Sequence, residues 1–137
     1  MARPASSQPT DGEMEILNVL WAIGPAELGR IRAVIQQNRP VATTTIATML
    51  KVMHGKKLVK RSNGERGYVW SASVSRARTA TELVRKVVDQ VFDGSAHRLV
   101  AHLLEEKGLN AVERAEIRKL LESYDARAQA NEGEAKR

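Results

Sequence analysis

Between Val41 and Trp70 the chain reads VATTTIATMLKVMHGKKLVKRSNGERGYVW. Ile46, Met49, Leu50 and Met53 recur at i, i+3, i+4 and i+7, the period with which an α-helix buries one face. Thr44, Thr48 and Lys51 fall on the opposite face, flanked by Thr43, Thr45 and Ala47, and that face carries no acid. Residues 58–61 and 68–71 then read as two strands. The six residues between them include Asn63-Gly64 and Gly67, types that tolerate a tight reversal. A small polar helix face followed by a basic hairpin is the sequence form of a winged helix-turn-helix. In that arrangement the helix enters the DNA major groove and the hairpin lies on the backbone.

The charge is placed to match. The chain has 137 residues and a formal charge of +6. Residues 1–80 hold 12 Lys and Arg against 5 Asp and Glu, whereas residues 81–137 hold 10 against 11. The basic excess is therefore confined to the half with the proposed reading helix. Between Arg39 and Arg66 a single acid, Glu65, interrupts seven cations. A solvated surface mixes its signs, so this imbalance points to a polyanionic partner.

Upstream, Thr10-Asp11-Gly12-Glu13 fits a capping box, and a first helix follows with Ile16, Leu17, Leu20 and Trp21 on one face. Gly24-Pro25 stops it, because Gly accepts the left-handed cap and Pro cannot continue a helix. A short edge strand near residues 25–27 and a second helix over 27–37 follow, the helix burying Leu28, Ile31, Val34 and Ile35. Asn38-Arg39-Pro40 is the breaker before the third helix, which spans about 42–55. Three more helices are expected at 75–92, 96–106 and 111–127. Asp93-Gly94-Ser95 and Gly108-Leu109-Asn110 separate them, and Asn110 is placed to cap the last.

The expected fold is therefore mostly α with a small β wing. A leader covers residues 1–9, a winged-helix DNA-binding domain 10–73, a three-helix arm 74–128 and a polar, frayed tail 129–137. Helices this short make a poor core alone, yet their stripes are apolar and nearly free of charge. A second copy of the arm is the natural cover. Val84, Val87, Val88, Val91, Leu99, Leu103, Ile117, Leu120, Leu121 and Tyr124 are the expected dimerisation residues. Two-fold symmetry would in turn suit a palindromic site.

Several classes of function are excluded or disfavoured. The chain has no cysteine, so disulfides and thiolate metal sites are absent. His97 and His102 stand five apart, off a common helix face, and His54 is remote, so no metal or cofactor is expected. No acidic pair, Ser/His/Asp set or phosphate-cradling glycine motif is present, so an enzyme is not expected. No apolar run approaches the ~18 residues of a membrane span. The N-terminus lacks a signal-peptide core, which leaves the cytoplasm as the expected location.

The run Thr44-Thr45-Ile46-Ala47-Thr48-Met49-Leu50-Lys51-Val52-Met53-His54-Gly55-Lys56-Lys57-Leu58-Val59-Lys60-Arg61 resembles the penicillinase-repressor family of bacterial regulators, the BlaI/MecI/CopY type. Its pattern there is T-T-[IV]-x-T-x-[LM]-x-[RK]-[LM]-x-x-K-x-[LI]-[VI]-x-R. Val52 stands where Arg or Lys is usual, with Lys51 beside it. The likeness extends over about residues 10–125, the tail matching in layout. It implies a homodimeric repressor on a dyad operator, with β-lactamase, cell-envelope stress or copper genes under its control. In the best-known branch a membrane sensor-protease system leads to a cut in the dimerisation helix, commonly at Asn-Phe. The matching position here is His102-Leu103, a different dipeptide. The copper branch senses through cysteines, which this chain lacks.

Thr43, Thr44, Thr48 and Lys51 are the expected base readers, since Thr bonds base edges and packs on the thymine methyl while Lys bonds guanine. Thr43 is equally suited to cap its helix, and Thr45, beside the buried stripe, is expected to be structural. Arg39, Lys56, Lys57, Lys60, Arg61 and Arg66 are the expected phosphate contacts. Trp21 and Trp70 are expected in the core or at its edge. Two other readings stay open: a winged helix that binds an acidic protein, and a regulator with a small-molecule pocket at the arm.

Overall fold

The computed structural model describes residues 8–106 and 108–135. Residues 1–7 of the expected leader and 136–137 of the expected tail lie outside them. The chain divides into two compact units between Val84 and Arg85.

The first unit begins with α1 (Asp11–Ile23). The expected capping box starts it: Thr10 Oγ1 accepts from the Glu13 N–H at 3.2 Å, and Glu13 Oε1 accepts from the Thr10 N–H at 2.9 Å. Gly24, at φ +82°, ends it by donating its N–H to the Leu20 carbonyl. The edge strand β1 (Ala26–Glu27) leads into α2 (Leu28–Gln36). Within α2, Ile31 and Ile35 are buried, while Leu28 and Val34 are only half-buried against the core.

Helix α3 runs Thr43–Gly55. Its cap is Ala42, which makes no side-chain bond, so Thr43 is the first helical residue and not the cap. The turn before it is held by Arg32, whose Nε–H donates to the Val41 carbonyl at 2.8 Å. At the far end the Leu58 N–H reaches the Met53 carbonyl at 2.9 Å and the Lys57 N–H reaches His54 at 3.1 Å. That is a Schellman closure, and Lys57 occupies its left-handed position at φ +66°.

The wing consists of β2 (Val59–Gly64) and β3 (Gly67–Ala72), in an antiparallel sheet of order β1-β3-β2. Both strands exceed expectation. The six-residue loop expected between them shrinks to Glu65-Arg66, because Ser62, Asn63 and Gly64 pair with Val69, Tyr68 and Gly67. Gly67, at φ +136°, absorbs the reversal that a side chain would resist.

Ile16, Leu17, Ile31, Ile35, Ile46, Leu50 and Met53 form the fully buried centre of this unit. Trp70 closes it, and Trp21 sits at its edge with its indole N–H donating to the Val74 carbonyl at 2.9 Å.

Helix α4 (Arg76–Val91) crosses the division between the units, and α5 (Ala96–Glu105) and α6 (Ala111–Ala135) follow. Ser95 and Asn110 cap α5 and α6 through bonds from the Arg98 and Glu113 N–H groups. Helix α6 continues well past residue 127. The stretch expected to fray holds Gln129, Ala130, Glu132, Glu134 and Ala135 and lacks Pro, so local preference carries the helix onward through Gly133. No residue of α5 or α6 is buried.

A non-glycine residue in the left-handed region costs about 1–2 kcal/mol. Lys57→Gly is therefore expected to raise unfolding stability by about 1 kcal/mol, read as a higher urea midpoint at unchanged slope. A lower midpoint would mean that the Lys57 side chain contributes more than its backbone strain costs.

Candidate nucleic-acid interface

With Ile46, Leu50 and Met53 buried, the opposite side of α3 must face outward. Thr43, Thr44, Ala47, Thr48 and Lys51 are all exposed there. Thr45, expected to be structural, is exposed too: it precedes Ile46 and points clear of the packed stripe. Val52 adds an apolar side chain at 48% exposure. Nothing in its residue type marks it as a contact.

The wing divides its cations between two faces. Alternation along β2 places Arg61, opposite Trp70, on the side of the hairpin that packs toward α3, and Lys60, opposite Ser71, on the other side. The Trp70 ring meets His54 of α3 edge-on at 6.2 Å, which fixes which side is inward. Arg61 lies over the Tyr68 ring at 4.2 Å and near Trp70 at 5.8 Å, a cation–π stack. Tyr68 is thus a platform that residue type alone did not reveal; the hairpin register would have found it. Lys51, Lys57, Lys60 and Arg66 are exposed and enter no ion pair among the described residues.

Two expected phosphate contacts are committed elsewhere. Lys56 does not present a free cation: its Nζ donates to Glu13 Oε1 at 2.9 Å, with side-chain exposures of 17% and 5%. The pair joins the start of α1 to the end of α3. Burial alone would raise the Glu13 carboxyl pKa. The bond from the Thr10 N–H, the Lys56 ammonium and the Thr10 hydroxyl together outweigh it and hold the group below its ordinary value. Arg39 donates through Nε to both oxygens of Glu15 at 3.2 Å, and this pairing raises its already high pKa. Arg39 remains half exposed, so its outer edge is still accessible. Sequence spacing showed Glu13 as a capping residue, but its second partner lies 43 positions away and leaves no local signal.

Among the described residues no group of His, Asp or Glu is arranged to hold a metal. No described helix is long and apolar enough to cross a membrane. A groove of about 410 Å³ separates α3 from the wing, bordered by Lys51, Arg61 and Arg66.

An acid-free helix face beside a hairpin with free cations is the surface of a DNA reader. The sequence profile of the penicillinase repressor family matches residues 9–123. The chain belongs to this family. It is 23% identical over 109 residues to a penicillinase repressor of Staphylococcus aureus, covering 80% of this chain and 86% of that one. It is 22% identical over 112 residues to the methicillin resistance regulatory protein MecI of Mammaliicoccus sciuri, covering 82% and 91%. Among solved structures it is similar to transcriptional regulator Tm0710 of Thermotoga maritima, with TM-score 0.46, 17% identity and coverage of 89% and 78%. It is also similar to a mutant MarR of E. coli complexed with operator DNA, with TM-score 0.49, 19% identity and coverage of 85% and 75%. The family is one of DNA-binding transcriptional repressors and not of enzymes.

Removing Lys56 would leave a buried carboxylate without its ammonium. Lys56→Ala is expected to cost about 1–3 kcal/mol of stability, whereas Lys60→Ala should leave stability unchanged. Glu13 has a lowered folded pKa. Its contribution is therefore complete above the ordinary value of 4.5 and is lost as pH falls through the lower folded value. In urea unfolding followed from neutral to acid pH, Glu13→Gln should flatten this part of the acid decline. An unchanged acid profile would remove Glu13 as a source of it.

Proposed function

We propose that this penicillinase-repressor family member is a homodimer that reads a palindromic operator and represses the adjoining promoter. The observation that carries this is the outward face of α3, where Thr43, Thr44, Thr48 and Lys51 stand exposed without an acid among them. Threonine and lysine at this spacing suit base edges in the major groove. Lys57, Lys60, Arg61 and Arg66 then act on phosphates, and Arg39 from its half-exposed position. Lys56 is assigned to holding α3 in place. A protein-docking face would instead offer large apolar or aromatic groups.

Dimerisation is assigned to the arm. Val91 is 70% exposed, Leu121 60% and Tyr124 58%, and Val84, Val87, Leu103 and Leu120 are also exposed, with Val88, Leu99 and Ile117 half-buried. So many uncovered apolar side chains in one stretch favour a partner, and a second arm is chemically matched to them. Two reading helices related by a two-fold axis would address half-sites about 34–36 Å apart.

The regulated genes are proposed to be those of β-lactamase or cell-envelope stress, in keeping with relatives named for penicillinase and methicillin resistance. Derepression is assigned to a proteolytic cut in the arm at His102-Leu103, prompted by a membrane sensor-protease system. His102 is exposed, and Leu103 beside it is one of the residues assigned to the dimer contact, so a cut between them would remove part of that contact.

Base and phosphate roles separate experimentally. Thr44→Ala or Lys51→Ala should reduce discrimination at one operator position by about 1–3 kcal/mol. Lys60→Ala should weaken operator and random DNA alike and lower the salt-dependence slope by about one. Anisotropy titrations across salt concentrations read both; a sequence-selective loss from Lys60→Ala would overturn the division. For the arm, Leu120→Asp is expected to give monomers in sedimentation velocity. An intact dimer would take α6 out of the interface.

A further inference from the structure

An open groove lies between α3 and the wing. Its volume of about 410 Å³ lies within the range of small-ligand sites, about 300–1,000 Å³. Tyr68, Trp70 and Leu28 give it apolar and aromatic walls. Ala47, one turn before Lys51, contributes the least bulk that α3 has at that level, which leaves room for a ring. Lys51, Arg61 and Arg66 border it, against the single carboxylate of Glu27. None of these four enters an ion pair among the described residues.

Arg61 decides the chemistry. Its guanidinium already lies over Tyr68 at 4.2 Å, so its face is occupied while its in-plane N–H groups remain available. Those edges suit a carboxylate, which accepts two parallel bonds from one guanidinium. A bare phosphate would leave the aromatic wall uncovered, and a neutral ring would leave three cations facing the single carboxylate of Glu27. We infer that this groove binds a planar aromatic carboxylate, its ring against the exposed Tyr68 and its carboxylate on Arg61 with Lys51 or Arg66 adjacent. The regulatory consequence rests on the DNA reading above: Lys51, Arg61 and Arg66 would be withdrawn from the operator, so ligand and DNA would compete.

Binding itself is tested without DNA. The full chain is titrated calorimetrically with naphthoate, with acetate as an anion lacking a ring and naphthalenemethanol as a ring lacking the charge. Saturable naphthoate binding at least about tenfold tighter than either comparator is expected. Arg61→Gln should weaken it about tenfold, and Lys60→Gln, on the opposite face of the same strand, should leave it unchanged. Absence of saturation, equal binding of the neutral ring, or equal losses from the two variants would overturn the inference. Repeating the titration on the protein–operator complex separates it from the DNA reading. A fall in operator affinity supports both. Naphthoate binding that leaves operator affinity unchanged would support the groove and overturn the competition, taking Lys51 and Arg61 off the DNA face.

Discussion

The orientation of α3 depends on the burial of Ile46, Leu50 and Met53, each wholly removed from solvent. Each such side chain contributes about 1.5–3 kcal/mol, so the three together outweigh any single polar contact in the unit. Because they share one stripe, rotating the helix would expose all three at once. The polar face is therefore turned outward by the core behind it, whatever its own interactions. Two polar fasteners then set the ends: Arg32 holds the Val41 carbonyl before the helix, and Glu13 holds Lys56 after it. The apolar stripe chooses the face, and the fasteners fix the tilt at which that face is presented.

The same arrangement sorts the cations. Lys56 is committed to Glu13 and Arg39 is partly engaged by Glu15, so not all of the basic excess near α3 is free charge. What remains is distributed by geometry. Lys51 stands on the helix, Lys57 on its left-handed turn, Arg66 at the hairpin tip, and Lys60 and Arg61 on opposite sides of one strand. Aromatic stacking holds Arg61, whereas Lys60 is exposed with no ion pair among the described residues, so two adjacent basic residues stand in different environments.

Much of this was readable in the chain, and the gaps have physical causes. The apolar period of α3, the Thr10–Glu13 box and the Gly24-Pro25 stop are local signals, and they place their elements well. The wing is longer than its sequence suggests because Asn63-Gly64 resembles a turn in isolation, while cross-strand pairing to Tyr68 and Gly67 draws both residues into β2. The engagement of Lys56 is not legible, because a lysine in a basic run looks solvated until its distant carboxylate is known. Thr43 lost its capping role to Ala42, which has no capping group, a choice made by the α2–α3 turn that Arg32 ties down. The extension of α6 reflects helix preference alone, since no residue of that helix is buried.

The proposed dimer ties the arm to α3, because a two-fold pair of arms would set two copies of α3 on half-sites related by the same two-fold axis. The most direct measurement is selection of bound fragments from random duplex DNA by the purified full chain, with competitor DNA present. A short inverted repeat with its halves about one helical turn apart is the predicted result. Recovery of a single half-site, or of DNA without a motif, would contradict a dimeric reader.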